Sequence, residues 1–440
     1  MPSVDPLSKR IKRHVIGRRH NFFVATSPGF EPVCLQELLK LKPAAGEACV
    51  TPGGVEFEGR LEDCYLANLN LRSANRILMR IHTFTSSNFR KLEKKLLDIP
   101  WELYLHAGRL PKVHVTTKHC RLRHSGAIAE KFRTTIASQL SRLESTTTRK
   151  AGGSDFTAIG GKRQGREVPQ SLKSNAVEPG AKHPVWKTQS DKKITKIASA
   201  EQNIYVRGIE DRFTVSIDSS GDLLYKRGLK KHAGKAPLRE TLAAAALLLA
   251  GYDARDPLLD PMCGSGTFSL EGALMAKRIP AGWFRDFAFM GWPSFRPKRW
   301  DYMRRQAESQ FVKPDRPMIF ASDTDPGACQ KLESCVQKYS MSDTVQVNSG
   351  DFFDLDLREL TERAGVICIN PPYGRRLGGR NQSEKFFQMI CKRLKQEYRG
   401  WNLVLFAPSR KLAGTIPFQT KSYPILHGGL KLALLIGKIQ

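Results

Sequence analysis

The chain has 440 residues and carries 71 Lys and Arg against 42 Asp and Glu, a formal net charge of +29 that points to a polyanionic partner, nucleic acid first and an anionic membrane surface second. At 40% hydrophobic it can bury a core, but it is too long for a single one, and its longest apolar run, Leu242 to Ala250, falls far short of the ~20 residues that span a bilayer. The nine cysteines are scattered without a CxxC pair, which argues against a disulfide frame or zinc site and predicts reduced thiols in a cytoplasmic protein with no metal.

In chain order, residues 1–20 read as a disordered basic arm (Lys9, Arg10, Lys12, Arg13, Arg18, Arg19) with no signal-peptide apolar stretch behind it. Phe22 to Ala25 reads as a strand, Glu31 to Leu41 as a helix, and Thr51 to Glu58 as a turn entering a strand with Val55 and Phe57 on one face. Leu61 to Asn70 is a second helix and Arg76 to Thr83 a further strand, so 21–83 predicts a small α+β domain. Beyond it, Val113 to Thr117 is a strand. Ala127 to Leu143 is a helix with Ile128, Phe132, Ile136 and Leu140 at i, i+4 spacing. Residues 144–200 lose periodicity and read as a disordered polar insertion within a domain spanning 84–228. Ile204 to Ile209, Phe213 to Asp218 and Leu223 to Arg227 read as paired strands, with a turn at Ser219 to Asp222.

From 229 to 440 strands and helices alternate. Leu238 to Ala250 is a helix and Pro257 to Asp260 a buried strand, followed by a Gly-rich turn and a helix over Ser269 to Lys277. The strand Met318 to Ser322 precedes a helix over Pro326 to Tyr339. Further strands follow at Val345 to Val347, Val366 to Ile369 and Trp401 to Ala407, and two more near Leu430 to Lys438. This alternation predicts an α/β fold whose mainly parallel sheet binds ligands at the carboxyl ends of its strands.

Four constellations sit at such ends. In the turn from Asp260 to Thr267, Gly264 and Gly266 let a ligand approach the backbone, and the helix N-terminus behind them favours an anionic group. The spacing lacks the full dinucleotide glycine motif and the phosphate-loop lysine. Asp323 ends the next strand, where a carboxylate can accept both ribose hydroxyls of a nucleoside, while Asp325 is better placed as an N-cap. Asp351 follows a third strand, placed to accept from an adenine amine with Phe352 lining the ring. Residues 277–317 carry Trp283, Phe287, Phe289, Trp292 and Trp300 among basic residues, and serve either base stacking or the packing of a helical insertion.

The fourth, Asn370-Pro371-Pro372-Tyr373, is the most informative. The lone pair of an aromatic amine is delocalised into its ring. Two acceptors, the Asn370 side-chain oxygen and the Pro371 carbonyl, can turn the amine and free that lone pair. Pro371 and Pro372 stiffen the loop, and Tyr373 offers a stacking face. With an already activated sulfonium methyl, positioning and electrostatics carry the rate. The target base would have to leave its stack or come from a loop.

Together these residues resemble the class I methyltransferases that act on exocyclic amines of nucleic-acid bases. They resemble most closely the THUMP-domain RNA guanine-N2 methyltransferases of the bacterial large-subunit rRNA type. Thr51 to Gly59 with Leu61 to Tyr65 is similar to that family's ferredoxin-like segment. Ile99 to Trp101, Arg121 to His124 and Ala127 to Glu130 are similar to its THUMP region, and Gly234 to Ala243 to the opening of its catalytic domain. The resemblance implies a Rossmann-like methyltransferase domain at 229–440 behind ferredoxin-like and THUMP domains. It implies S-adenosylmethionine held by Pro237, Asp260, Met262, Cys263, Gly264, Gly266, Thr267, Asp323, Asp351 and Phe352, and a guanine N2 in ribosomal RNA, free or in a ribosome-assembly intermediate, as target. Some relatives carry a second, fused methyltransferase domain; with one, a single modified site is expected. Transfer RNA guanine N2, adenine N6, or RNA binding without catalysis are the alternatives, because the loop alone does not separate guanine from adenine.

Overall fold

The computed structural model describes residues 6–41, 47–106, 108, 110–151, 202–230, 238–372, 380–427 and 429–440. Two seven-stranded sheets organise them. The first is built from β1 (His20–Thr26), β2 (Cys49–Thr51), β3 (Gly54–Gly59), β4 (Ala74–Thr85), β5 (Lys112–Lys118), β6 (Asn203–Ile209) and β7 (Arg212–Asp218), in the order β2-β3-β1-β4-β7-β6-β5. Strands from 21–83 and from 84–228 thus join in one sheet, through the antiparallel β4–β7 ladder. Alternation sends Phe22, Val24, Val55, Phe57, Ile77, Met79, Val206 and Val215 to a buried face. The helices Glu31–Lys40, Leu61–Asn70, Phe89–Leu97 and Ser125–Ala151 complete this unit, and Ile128, Phe132, Ile136 and Leu140 are all buried as their spacing predicts.

The second sheet holds β8 (Leu258–Asp260), β9 (Ile319–Asp323), β10 (Val345–Ser349), β11 (Val366–Ile369), β12 (Asn402–Ala407), β13 (Thr420–His427) and β14 (Leu430–Lys438), in the order β10-β9-β8-β11-β12-β14-β13. The first five in that order are parallel, and β14 runs antiparallel to both β12 and β13. The order reverses between β8 and β11, which opens a crevice at their carboxyl ends. No helix among the described residues is long and apolar enough to cross a membrane.

Four expectations are corrected. Within the basic arm, Pro6–Ile11 is an α-helix continued by a π-helix over Lys12–Ile16, and Ile11 and Val15 are buried: Leu7, Ile11 and Val15 repeat every four residues beneath the charge. Residues 144–151 extend the long helix, while 152–201 lie outside the described residues. Leu223 to Arg227 forms turns instead of a strand, because Arg227 is drawn inward to Glu271. The last two strands form a hairpin in which only β14 occupies the predicted place, with β13 earlier, at Thr420–His427.

The two units share buried contacts. Glu271 accepts from the Arg227 Nε (2.9 Å) and faces the Arg72 guanidinium at 3.9 Å. Arg72 in turn donates to the carbonyls of Leu274 and Ile279, at the carboxyl end of the helix Thr267–Ala276. The aromatic insertion closes the same boundary: Phe289 stacks on Tyr65 at 4.2 Å, Trp300 meets both edge-on, and Trp283, Phe287, Trp292 and Trp300 are buried. Packing, not base stacking, occupies these rings.

Candidate functional site

The strand ends at the crevice carry the predicted residues, but their polar atoms face different ways. Asp260 closes β8 and is 2% exposed. One of its oxygens accepts from the Ser269 N–H (3.2 Å) and hydroxyl (2.7 Å), stapling the turn to the following helix. Burial pushes its carboxyl up to about 6 against the pull of those donors. It lies beneath the turn and holds it to the following helix.

The turn itself is left-handed at Gly264 (φ +49°) and Gly266 (φ +67°). A Cβ at Gly264 would meet nothing within 4 Å among the described residues, so these leave open space beside it, whereas a Cβ at Gly266 would strike Leu332 at 2.2 Å. The Gly264 N–H donates to Asp323 (2.8 Å), and the Cys263 N–H to the Ser322 carbonyl (2.9 Å), so the turn is bound to the end of β9. The Cys263 thiol is buried and its pKa is raised by that burial; Met262 is half-buried, packed against the buried cluster that includes Leu259, Ile367 and Phe387. Thr267 is buried too: its hydroxyl accepts from Lys230 (2.8 Å) and lies 3.4 Å from the Leu238 carbonyl.

At β9, Asp323 is half-exposed; its second oxygen accepts from the Asp325 N–H (3.0 Å). Asp325 caps the helix Pro326–Lys338 by accepting from Gly327, as expected. After β10, Asp351 is exposed and accepts from the Phe353 N–H (3.0 Å). Phe352 does not line the crevice: it is 1% exposed, packed on Tyr398 at 5.7 Å with the Arg393 guanidinium over its ring. The half-buried ring beside Asp351 is that of Phe353.

Strand β11, buried at all four positions, pairs in parallel with β8 and β12 and delivers Asn370 one strand from the Gly turn. The Asn370 Oδ1 is buried and has no hydrogen-bond partner among the described residues. A buried acceptor left without a donor costs about 1–3 kcal/mol. Pro371 is buried and Pro372 half-buried; Tyr373 and Pro237 lie outside the described residues.

Residues not singled out by sequence complete the turn. Lys230, whose ammonium loses basicity through burial, donates to Ser265 (3.3 Å) and Thr267 and lies 3.8 Å from Glu240. The hydroxyls it donates to are more than thirty positions away, so spacing gave no signal. Ser269 was legible as a hydroxyl in the first turn of a helix. Open space at Gly264, carboxylates at two neighbouring strand ends and an unsatisfied amide oxygen fit a nucleoside with a charged tail beside an amine. Among the described residues no group of three His, Cys, Asp or Glu could hold a metal ion.

Comparison with known proteins agrees with this layout. Residues 227–422 match the RMKL-like methyltransferase domain, and residues 21–78 the RlmL ferredoxin-like domain. A Synechocystis sp. protein provisionally named an RNA methyltransferase is 30% identical over 418 residues, covering 94% of this chain and 95% of that protein. The Ribosomal RNA large subunit methyltransferase K/L of Methylococcus capsulatus is 29% identical over 93% of this chain; the chain spans about half (50%) of its length. In fold, the chain is similar to the SAH-complexed crystal structure of SMU.472, provisionally named a methyltransferase (TM-score 0.75, 23% identity, 96% of this chain and 99% of that one). It is also similar to TrmN from Thermus thermophilus (TM-score 0.57, 17% identity, 96% and 100%).

Proposed function

The chain belongs to the RMKL-like methyltransferase family, and from that premise we propose that it methylates the exocyclic N2 amine of a guanine in RNA, with large-subunit ribosomal RNA as substrate. The methyl donor is S-adenosylmethionine, which supplies a methyl group already activated by its sulfonium. Asp323 would accept from the ribose hydroxyls and Asp351 from the adenine amine. The turn Met262 to Thr267, with Pro237 at its flank, would receive the amino-acid end, with Asp260 holding the turn from below. Asn370 Oδ1 and the Pro371 carbonyl would each accept one N–H of the target amine, drawing its lone pair out of conjugation toward the methyl, while Tyr373 stacks the base. The unsatisfied Asn370 oxygen carries this reading, because it lacks only a donor of the kind an amine supplies. Guanine as the base, and ribosomal RNA as its carrier, are supported by the printed names of the K/L relatives.

We assign the ferredoxin-like segment (21–83) and a THUMP region (84–228) to RNA binding, and 229–440 to catalysis, acting in the cytoplasm on free rRNA or on an assembly intermediate. The test is transfer of labelled methyl to unmodified rRNA followed by nucleoside analysis. N2-methylguanosine is expected; N6-methyladenosine would reassign the base. Asn370→Ala should lower the rate about 100-fold, by analogy with removal of one preorganised hydrogen-bonding group. An unchanged rate would remove Asn370 from the chemistry.

A further inference from the structure

The edge of the first sheet carries a ring column that the catalytic reading leaves unused. His114 on β5 and Tyr205 on β6 are register partners, and their rings stack at 4.7 Å with 15° between planes. The Arg76 guanidinium lies over the Tyr205 ring, 5.2 Å from its centre. Both ends of the column are tied to one fully buried carboxylate, Asp218. Arg76 donates to it directly, and so does the Asn203 amide (3.4 Å). A carboxylate accepts only, which turns the Asn203 oxygen toward His114, so the His114 Nε2–H donates to it at 2.9 Å.

Among the described residues the column ends at a sheet edge, because β5 is the outermost strand of that sheet. Its rings stand on the face opposite to buried Val206 and Val215, and exposed Lys112, Lys118 and Arg207 surround them. Cations around pinned rings match the two parts of a single-stranded nucleic acid, phosphates and base faces. The rings are already ordered, so binding need not freeze them.

We propose that the outer face of His114 is a stacking platform for an unpaired base of the RNA substrate, with Lys112, Lys118 and Arg207 tracking its phosphates. The inference rests on the RNA reading above and deepens it by naming a contact surface far in sequence from the catalytic loop. It is tested on the full chain with a single-stranded oligoribonucleotide containing 2-aminopurine, whose fluorescence falls on stacking. The wild type should quench it; His114→Ala should lose most of the quench and bind about tenfold more weakly, and His114→Phe should retain both. Unchanged thermal midpoints would confirm that the variants fold. Equal quench and affinity for His114→Ala, or equally tight binding of an abasic oligonucleotide, would overturn the platform while leaving the RNA reading intact. A wild type that binds no oligonucleotide at low salt would overturn both.

Discussion

Two glycines in one turn should answer the same substitution in opposite ways. Both are left-handed, so alanine at either position costs about 1–2 kcal/mol of backbone energy. At Gly266 the new methyl would also lie 2.2 Å from the Leu332 Cδ1, in a side chain only 1% exposed. Overpacking of this kind adds about 1–3 kcal/mol, so Gly266→Ala should destabilise by about 2–5 kcal/mol. At Gly264 the methyl enters open space, so stability should fall by the backbone part alone, while affinity for S-adenosylhomocysteine drops about tenfold or more as the methyl intrudes on the ligand's volume. Urea midpoints and titration calorimetry separate the two readouts. A double-mutant cycle sharpens the first: Leu332→Ala should be markedly less harmful in the Gly266→Ala background than alone, because it vacates the colliding volume. The reasoning fails if Gly264→Ala lowers the midpoint as far as Gly266→Ala, or leaves the ligand's dissociation constant where it was.

The folded chain holds a proton on Asp260 up to about pH 6, whereas the unfolded chain releases it near 4, so the stability this group contributes is full below pH 4 and lost as pH rises through 6. That amounts to roughly 3 kcal/mol; Asp260→Asn, which can still accept from Ser269, should flatten the stability profile between pH 4 and 7, and an unaltered slope would show the carboxylate to be solvated. Glu271→Ala strands two buried guanidiniums and should destabilise by about 3–5 kcal/mol in urea titration; a loss below about 1 kcal/mol would mean water replaces the carboxylate. Deleting residues 1–18 should do more than flatten the salt dependence of RNA binding: removal of Ile11 and Val15 forfeits about 1.5–3 kcal/mol each, so the thermal midpoint must fall, and an unmoved midpoint would return the segment to a solvated tail.

How much of this was legible depended on whether the signal was local. Strands and helices with clean periodicity, such as β11 or the helix Glu31–Lys40, were placed within a residue or two. The N-terminal helix was hidden because four Lys and Arg within it, and two more just after it, outweigh three apolar residues at helical spacing. The helix Arg380–Glu397 was not anticipated either, although Phe387, Ile390, Cys391 and Leu394 lie at core-facing spacing. Leu223 to Arg227 has strand-like composition, yet a tertiary ion pair to a residue 44 positions away decides its path. The continuity of the first sheet across β4 and β7 could not be read at all, because pairing partners leave no trace in one sequence.

Within the site, residue type located the strand ends but did not say which atoms face the crevice. Asp260 and Asp323 each end one of two adjacent strands, yet one carboxylate is buried under the turn on Ser269 and the other stands half-open to the side where Gly264 leaves space. Phe352 and Phe353 divide in the same way: the first is closed into the core, the second half-open. The distinction follows from satisfaction of polar atoms and from volume, both of which depend on neighbours distant in sequence. By that measure Asn370 stands apart. Its backbone is fixed by a strand buried on both faces and by two prolines, so its unsatisfied oxygen cannot readily swing away to find water. A rigid mount that leaves a buried acceptor unpaired is unfavourable for folding alone, which supports the proposed placement of the chemistry at the end of β11.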